Sequence, residues 1–227
     1  MSIESSNGGK GKLGDNSSPK STGRKLKMHW EAAMSMEDLD DRLPSGILMS
    51  IRDDSLSGII RTDQLESELE NRYSMKYESL TEDIARQMFA DLVTLRSVAI
   101  MEEGGFELEV SFLMFVHRRL YNTVDSLSGK FRNEGELHDI PYPDKKTPMQ
   151  GTSGSPLPEV IDRKLDEIFA EEADALDLDA PILEQAPRIT EFSEKLLELR
   201  PFDVGNARAI GTFISMYTEW LLENSRA

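Results

Sequence analysis

Apolar residues recur at steps of three and four along most of this chain, the spacing of one face of a helix. Ile84, Met88, Leu92 and Leu95 form one such stripe behind Thr81, which is placed to cap a helix start. Phe112, Phe115, Val116, Leu120, Val124 and Leu127 form another, predicting a helix of about five turns with His117 beside its apolar face. Val160 to Leu176 reads as an amphipathic helix with Ile161, Leu165, Ile168 and Phe169 inward. Ile189, Phe192, Leu196 and Leu197 precede, and Ile210, Phe213, Ile214, Tyr217 and Leu221 follow, a short break at residues 198–209. Thr62 is a candidate cap for a further helix, and Ser35-Met36-Glu37-Asp38 resembles a helix start. Pro44-Ser45-Gly46 interrupts the pattern, and residues 47–60 fit no single period. The pattern predicts an all-α protein with room for a small β-hairpin around residues 137–142, inside a stretch rich in proline and glycine.

Polar composition divides the chain. Residues 1–27 are rich in Gly, Ser, Lys and Asn and carry Lys10, Lys12, Lys20, Arg24, Lys25 and Lys27, which predicts a disordered basic tail. Residues 28–104 form an N-terminal helical region, and Gly104-Gly105 separates it from residues 105–227. The acidic run Glu171, Glu172, Asp174, Asp177 and Asp179 reads as a solvated face and loop.

Charge and residue inventory exclude several functions. A formal net charge of −16 disfavours nucleic acid, a polyanion, as a partner. Cysteine is absent, so there is no disulfide, thiolate metal site or cysteine nucleophile. Only His29, His117 and His138 offer imidazoles, and no metal site is expected. No apolar run approaches the about 18 residues of a membrane span. The N-terminus has no signal-peptide core, so the expectation is a soluble cytoplasmic protein with no membrane association.

The break at residues 198–209 holds the candidate chemistry. Pro201 cannot continue a helix and Gly205 permits a tight turn, so the order is helix, loop, helix. The first N–H groups of the second helix lack internal partners and carry the positive end of the macrodipole. Such a loop can hold an anion, with Arg208 as a forked donor. The candidate nucleotide- or phosphate-binding residues are Arg200, Gly205, Asn206 and Arg208, with Arg200 and Arg208 expected to converge on one concave site.

Arg200-Pro201-Phe202-Asp203-Val204-Gly205-Asn206-Ala207-Arg208 resembles the His-Pro-Phe-x-Asp/Glu-Gly-Asn-Gly-Arg motif of the Fic (Fido) family. Val116-His117-Arg118-Arg119-Leu120-Tyr121 and Ser128-Gly129-Lys130-Phe131-Arg132 resemble that family's His-Arg-x-Leu-Phe and Ala-Gly-Lys-x-Arg segments, in the same order. The resemblance implies a Fic-like helical bundle with a β-hairpin flap that aligns a target by strand addition. It also implies transfer of AMP from ATP, with Mg²⁺, to a hydroxyl of a protein target. His117 has a family counterpart that is not the catalytic histidine.

Weighed singly, the substitutions point to lost chemistry. Arg200 stands at the general-base position, and a guanidinium with a pKa above about 12 accepts no proton near neutrality. General-base help is worth about 10² to 10⁴ in rate. Val204 replaces the acidic Mg²⁺ ligand, Ala207 replaces the second glycine, and Gly211 stands where many members carry a second arginine. Gly205, Asn206 and Arg208 remain. Three readings stay open: a degenerate Fic protein that binds a nucleotide or a protein partner, an active nucleotidyltransferase with an altered mechanism, and a helical interaction module.

Overall fold

The computed structural model describes residues 19–36, 43–122 and 158–225, with side chains from Gly23 onward in the first segment. Among these residues the protein is all-α, with eight α-helices, a single 3-10 turn and no strand. The position of a flap hairpin at residues 137–142 and the segment Ser128 to Arg132 lie outside the described residues, as do Val124 and Leu127.

Helix α1 runs Pro19–Ser35. It begins inside the stretch that composition alone reads as a tail. Its later turns bury Trp30 and Ala33 against α4, and nearer its start Lys25 meets Glu219 at 2.6 Å and Glu223 at 3.3 Å, both near the C-terminal end of the last helix. Lys25 thus finds its partners across the fold, whereas Lys27 pairs locally with Glu31. Ser35 ends this helix and Met36 follows in a turn, while Glu37 and Asp38 of the expected helix start lie outside the described residues.

The proline–glycine break at 44–46 is a helix entry. Ser45 caps α2 (Gly46–Leu56), its Oγ accepting the Leu48 N–H at 3.0 Å. Thr62 is not a cap: Thr62–Gln64 form the 3-10 turn leading into α3 (Leu65–Lys76), and the Arg61 N–H donates to Gln64 Oε1 at 3.0 Å. Thr81 does cap α4 (Glu82–Glu103), whose first turn carries Glu82 and Asp83 beside the positive end of the helix dipole.

Helix α4 organises the molecule. Ten of its residues between Ala90 and Met101 are buried, including Asp91, Thr94, Arg96 and Ser97, so it is enclosed nearly all round. Helices α1 and α3 pack against it, as do α5 (Val110–Tyr121) and α8 (Asn206–Asn224). Of the stripe at 84, 88, 92 and 95 only Leu95 is fully buried; Ile84, Met88 and Leu92 are half-buried against the core. Helix α6 (Pro158–Asp174) presents Ile161, Leu165 and Phe169 inward, and α7 (Ile182–Leu199) lies between it and α8. Phe169, Phe192 and Phe213 meet at this junction, with ring centroids 5.3 to 6.3 Å apart. A single apolar core runs from Trp30 to Leu221 and crosses the Gly104-Gly105 boundary without interruption.

Two buried carboxylates fix helix packing. Asp91 is fully enclosed and accepts from the Ser45 hydroxyl, Tyr73 Oη at 2.8 Å and Gln87 Nε2 at 3.2 Å, joining α2, α3 and α4. Burial pushes its pKa up, against the pull of these donors. Glu172, in the acidic run expected to be solvated, is 4% exposed. It accepts from Arg188 and from Tyr217 Oη at 2.6 Å, joining α6, α7 and α8. Its neighbour Glu171 is exposed. One step along a helix turns a residue by about 100°, so only Glu172 of the pair faces inward.

Candidate functional site

The motif at residues 200–208 is the corner between α7 and α8. Helix α7 ends on Arg200, which adopts the left-handed conformation at φ 48° and donates its N–H to Leu196 O at 3.1 Å. That geometry terminates the helix and turns the chain. Pro201 and Phe202 are then buried. Phe202, 1% exposed, stacks on the His117 ring of α5 at 3.8 Å and 11°. His117 Nε2 donates to the Val204 carbonyl at 3.0 Å, and since a carbonyl only accepts, that nitrogen carries the proton. This histidine is therefore a fastener between α5 and the corner.

Gly205 makes the turn into α8 at φ 68°. Its open side is filled by Tyr121: a β-carbon at Gly205 would lie 2.2 Å from the tyrosine's Cζ and Oη. Asn206 closes the loop on itself. Its Oδ1 accepts the Phe202 N–H at 2.9 Å, and its Nδ2 donates to the Phe202 carbonyl at 2.7 Å. The amide thus satisfies both backbone groups of one buried residue.

Arg208 lies in the first turn of α8 and is 1% exposed. Its Nη1 donates to Thr94 Oγ1 on α4 at 3.0 Å. Four residues on, Thr212 donates to Ser97 Oγ at 3.2 Å. Arg208 and Thr212 share one face of α8, and Thr94 and Ser97 share one face of α4, so the two helices meet along a buried polar seam. Thr94 and Ser97 in turn donate to the Ala90 and Val93 carbonyls of their own helix. Met36 covers Gly211, its sulfur 3.0 Å from where a β-carbon would stand.

The four candidate site residues are therefore divided. Gly205, Asn206 and Arg208 are drawn together into the packing of the corner, while Arg200 is exposed at its surface. The two guanidinium groups occupy different environments, one solvated and one enclosed, rather than one concave site. Val204 and Asp203 are half-buried.

As folded, the corner turns these groups inward: the glycine face is occupied by the Tyr121 ring, the Asn206 amide is bonded to Phe202, and Arg208 lies in the interior bonded to a hydroxyl. No group of three His, Asp or Glu side chains among the described residues is arranged to hold a metal ion.

Tyr121 and Thr94 are the residues that sequence reasoning did not place at the corner. Tyr121 stands on the same α5 face as His117, four residues later, and that spacing was a usable signal. Thr94 had none, because its partner lies 114 residues away. The described helices include none long and apolar enough to cross a membrane. Compared with known proteins, the chain matches no family model, no curated protein and no solved structure.

Proposed function

We propose that this chain is a degenerate Fic-like protein that acts by binding a protein partner, its α7–α8 corner retained as scaffold. The enclosure of Arg208 carries this reading. A guanidinium 1% exposed and bonded to Thr94 would have to leave the core to reach a phosphate. Withdrawing it would break the seam between α4 and α8 and open a cavity between the two helices.

The other departures support the same reading independently. Arg200 cannot serve as a base, and Val204 cannot bind Mg²⁺. Ala207 adds a methyl group where the family motif has a second glycine. Base, metal ligand and phosphate cradle are separate requirements of AMP transfer, and each is altered. Binding a protein needs none of them.

Calorimetric titration with ATP and with ADP, with and without Mg²⁺, tests the proposal. The expected result is no saturable heat. Saturable binding that Arg200→Ala weakens would overturn it in favour of a nucleotide site. Incubation with labelled ATP and a cell lysate tests the enzymatic alternative: no label should enter protein. Label transferred by the wild type and lost in Asn206→Ala would show an active transferase with an altered mechanism. The double change Arg200→His, Val204→Glu should restore no transfer, because Arg208 stays enclosed.

A further inference from the structure

Away from the corner, the C-terminal end of α4, the Gly104-to-Glu109 link and α5 enclose an open groove of about 530 Å³. Its floor is aromatic and its rim is acidic. Phe106, Phe112 and Phe115 line it together with Met216, and Glu103 and Glu107 stand at its edge.

The floor is held rigid. Phe106 contacts Phe112 edge-on at 5.5 Å, stacks on Tyr217 at 5.3 Å and 18°, and meets Trp220 at 5.9 Å. Phe112 stacks on Phe115 at 5.7 Å and 29°. Phe115 is nevertheless 39% exposed, an unusual position for a ring so well braced. Its face already receives a cation of this chain: the Arg119 guanidinium lies 5.6 Å from the ring centroid, while that same arginine bonds Glu103 at 2.7 and 2.9 Å. Glu107 is exposed and has no ion-pair partner among the described residues.

From this arrangement we infer that the groove is a docking site for a basic peptide segment of a partner protein. An arginine or lysine of the partner pairs with the Glu107 carboxylate against the aromatic floor. An adjoining apolar side chain covers Phe106 and Met216. The negative face of an aromatic ring attracts a cation, and a carboxylate at the rim adds direct pairing. Preformed aromatic anchors lose little side-chain entropy on binding, which is why such rings dominate the energetics of interfaces. The net charge of −16 steers a basic partner toward the chain, and the groove supplies the place where steering becomes specific. The inference rests on the partner-binding reading of this protein, which the nucleotide titrations test separately.

The probe is a fluorescein-labelled octapeptide of alternating arginine and leucine, with glutamate replacing arginine in the control. Anisotropy with the full chain at near-physiological salt measures affinity, and backbone amide spectra of the labelled protein report the location. Saturable binding of the arginine peptide, shifts confined to residues 103–115 and their packing neighbours, and no binding of the glutamate peptide are expected. Glu107→Lys and Phe115→Ala should each weaken binding about tenfold. Glu184→Lys makes the same charge change at an exposed position on α7 and should leave affinity unchanged. No saturable binding, equal weakening by Glu184→Lys, or equal affinity for the glutamate peptide would each overturn the inference.

Discussion

The hydroxyl end of the Tyr121 ring stands against the open side of Gly205, so close that no β-carbon fits between them. The glycine is therefore required twice, once for its left-handed backbone and once for the ring of a residue 84 positions earlier. In a phosphate-cradling loop the same missing side chain would leave room for a ligand. Here it leaves room for α5.

Gly205→Ala should destabilise the protein strongly. A left-handed backbone costs a non-glycine residue about 1–2 kcal/mol, and forcing a methyl group into packed atoms adds about 1–3 kcal/mol. Tyr121→Ala should absorb the second part only. The double variant should then be less destabilised than the sum of the single ones, as read from denaturant midpoints. Strict additivity would show that the two residues are not in contact.

Arg200 shows the opposite case, an arginine where a glycine would be easier. It holds φ 48° at an exposed helix end. Arg200→Gly should stabilise the fold by about 0.5–1 kcal/mol, since relief of strain outweighs the extra freedom of the unfolded chain. Arg200→Ala should change stability by less than about 0.5 kcal/mol. Thermal melts of the two variants at one pH distinguish them from wild type.

The seam between α4 and α8 gives a third expectation. Thr94→Val keeps the shape of the side chain but removes an acceptor from Arg208 Nη1, and the loss of one buried hydrogen-bond partner costs about 1–3 kcal/mol. Thr212→Val, which removes a neutral donor, should cost less. Nucleotide has no part in this bond, so the loss should be the same with and without ATP present.

Glu172 and Glu171 are neighbours with opposite fates. Removing one partner of a buried pair costs about 3–5 kcal/mol, and Glu172→Ala should fall in that range because Arg188 and Tyr217 lose a shared acceptor. Lys195 pairs with Glu171 at 2.9 Å in the open, and Lys195→Ala should melt like wild type. Differential scanning calorimetry of both variants makes the comparison.

His29 makes stability depend on pH. Its Nδ1 donates to Glu102 at 2.5 Å and its Nε2 to Glu219 at 2.9 Å, so the ring is held as the imidazolium between α4 and α8. Lys25 shares Glu219 from the same helix. Burial alone would lower the His29 pKa, but the two carboxylates outweigh it and raise the value above 6.5. The folded protein thus keeps a proton that the unfolded chain releases first. The stabilisation is complete below about pH 6.5, the unfolded value, and is lost as pH rises through the higher folded value. The melting temperature should fall across that window, and His29→Gln should flatten the slope. An unchanged slope in the variant would assign the effect to other groups.

Much of the architecture was legible in the amino-acid order because local physics decides it. Apolar spacing at three and four marked α4 to α8, Thr81 marked where α4 begins, and Pro201 with Gly205 marked the corner between α7 and α8. These signals act within a few residues and survive without knowledge of the rest of the fold. The entry to α2 carried a local signal, Ser45 capping the Leu48 N–H, but Pro44 and Gly46 on either side read as a break, and the bond from Ser45 to Asp91, 46 residues away, had no local sign. The start of α1 was hidden for a similar reason, since Lys25 finds its carboxylates on α8. What the corner contains was decided by tertiary structure alone. Gly205, Asn206 and Arg208 are the residue types of an anion site, and no local rule tells a loop that cradles a phosphate from one that cradles a tyrosine. The choice falls to Tyr121 and Thr94, which reach the corner only once α5 and α4 have packed against α8.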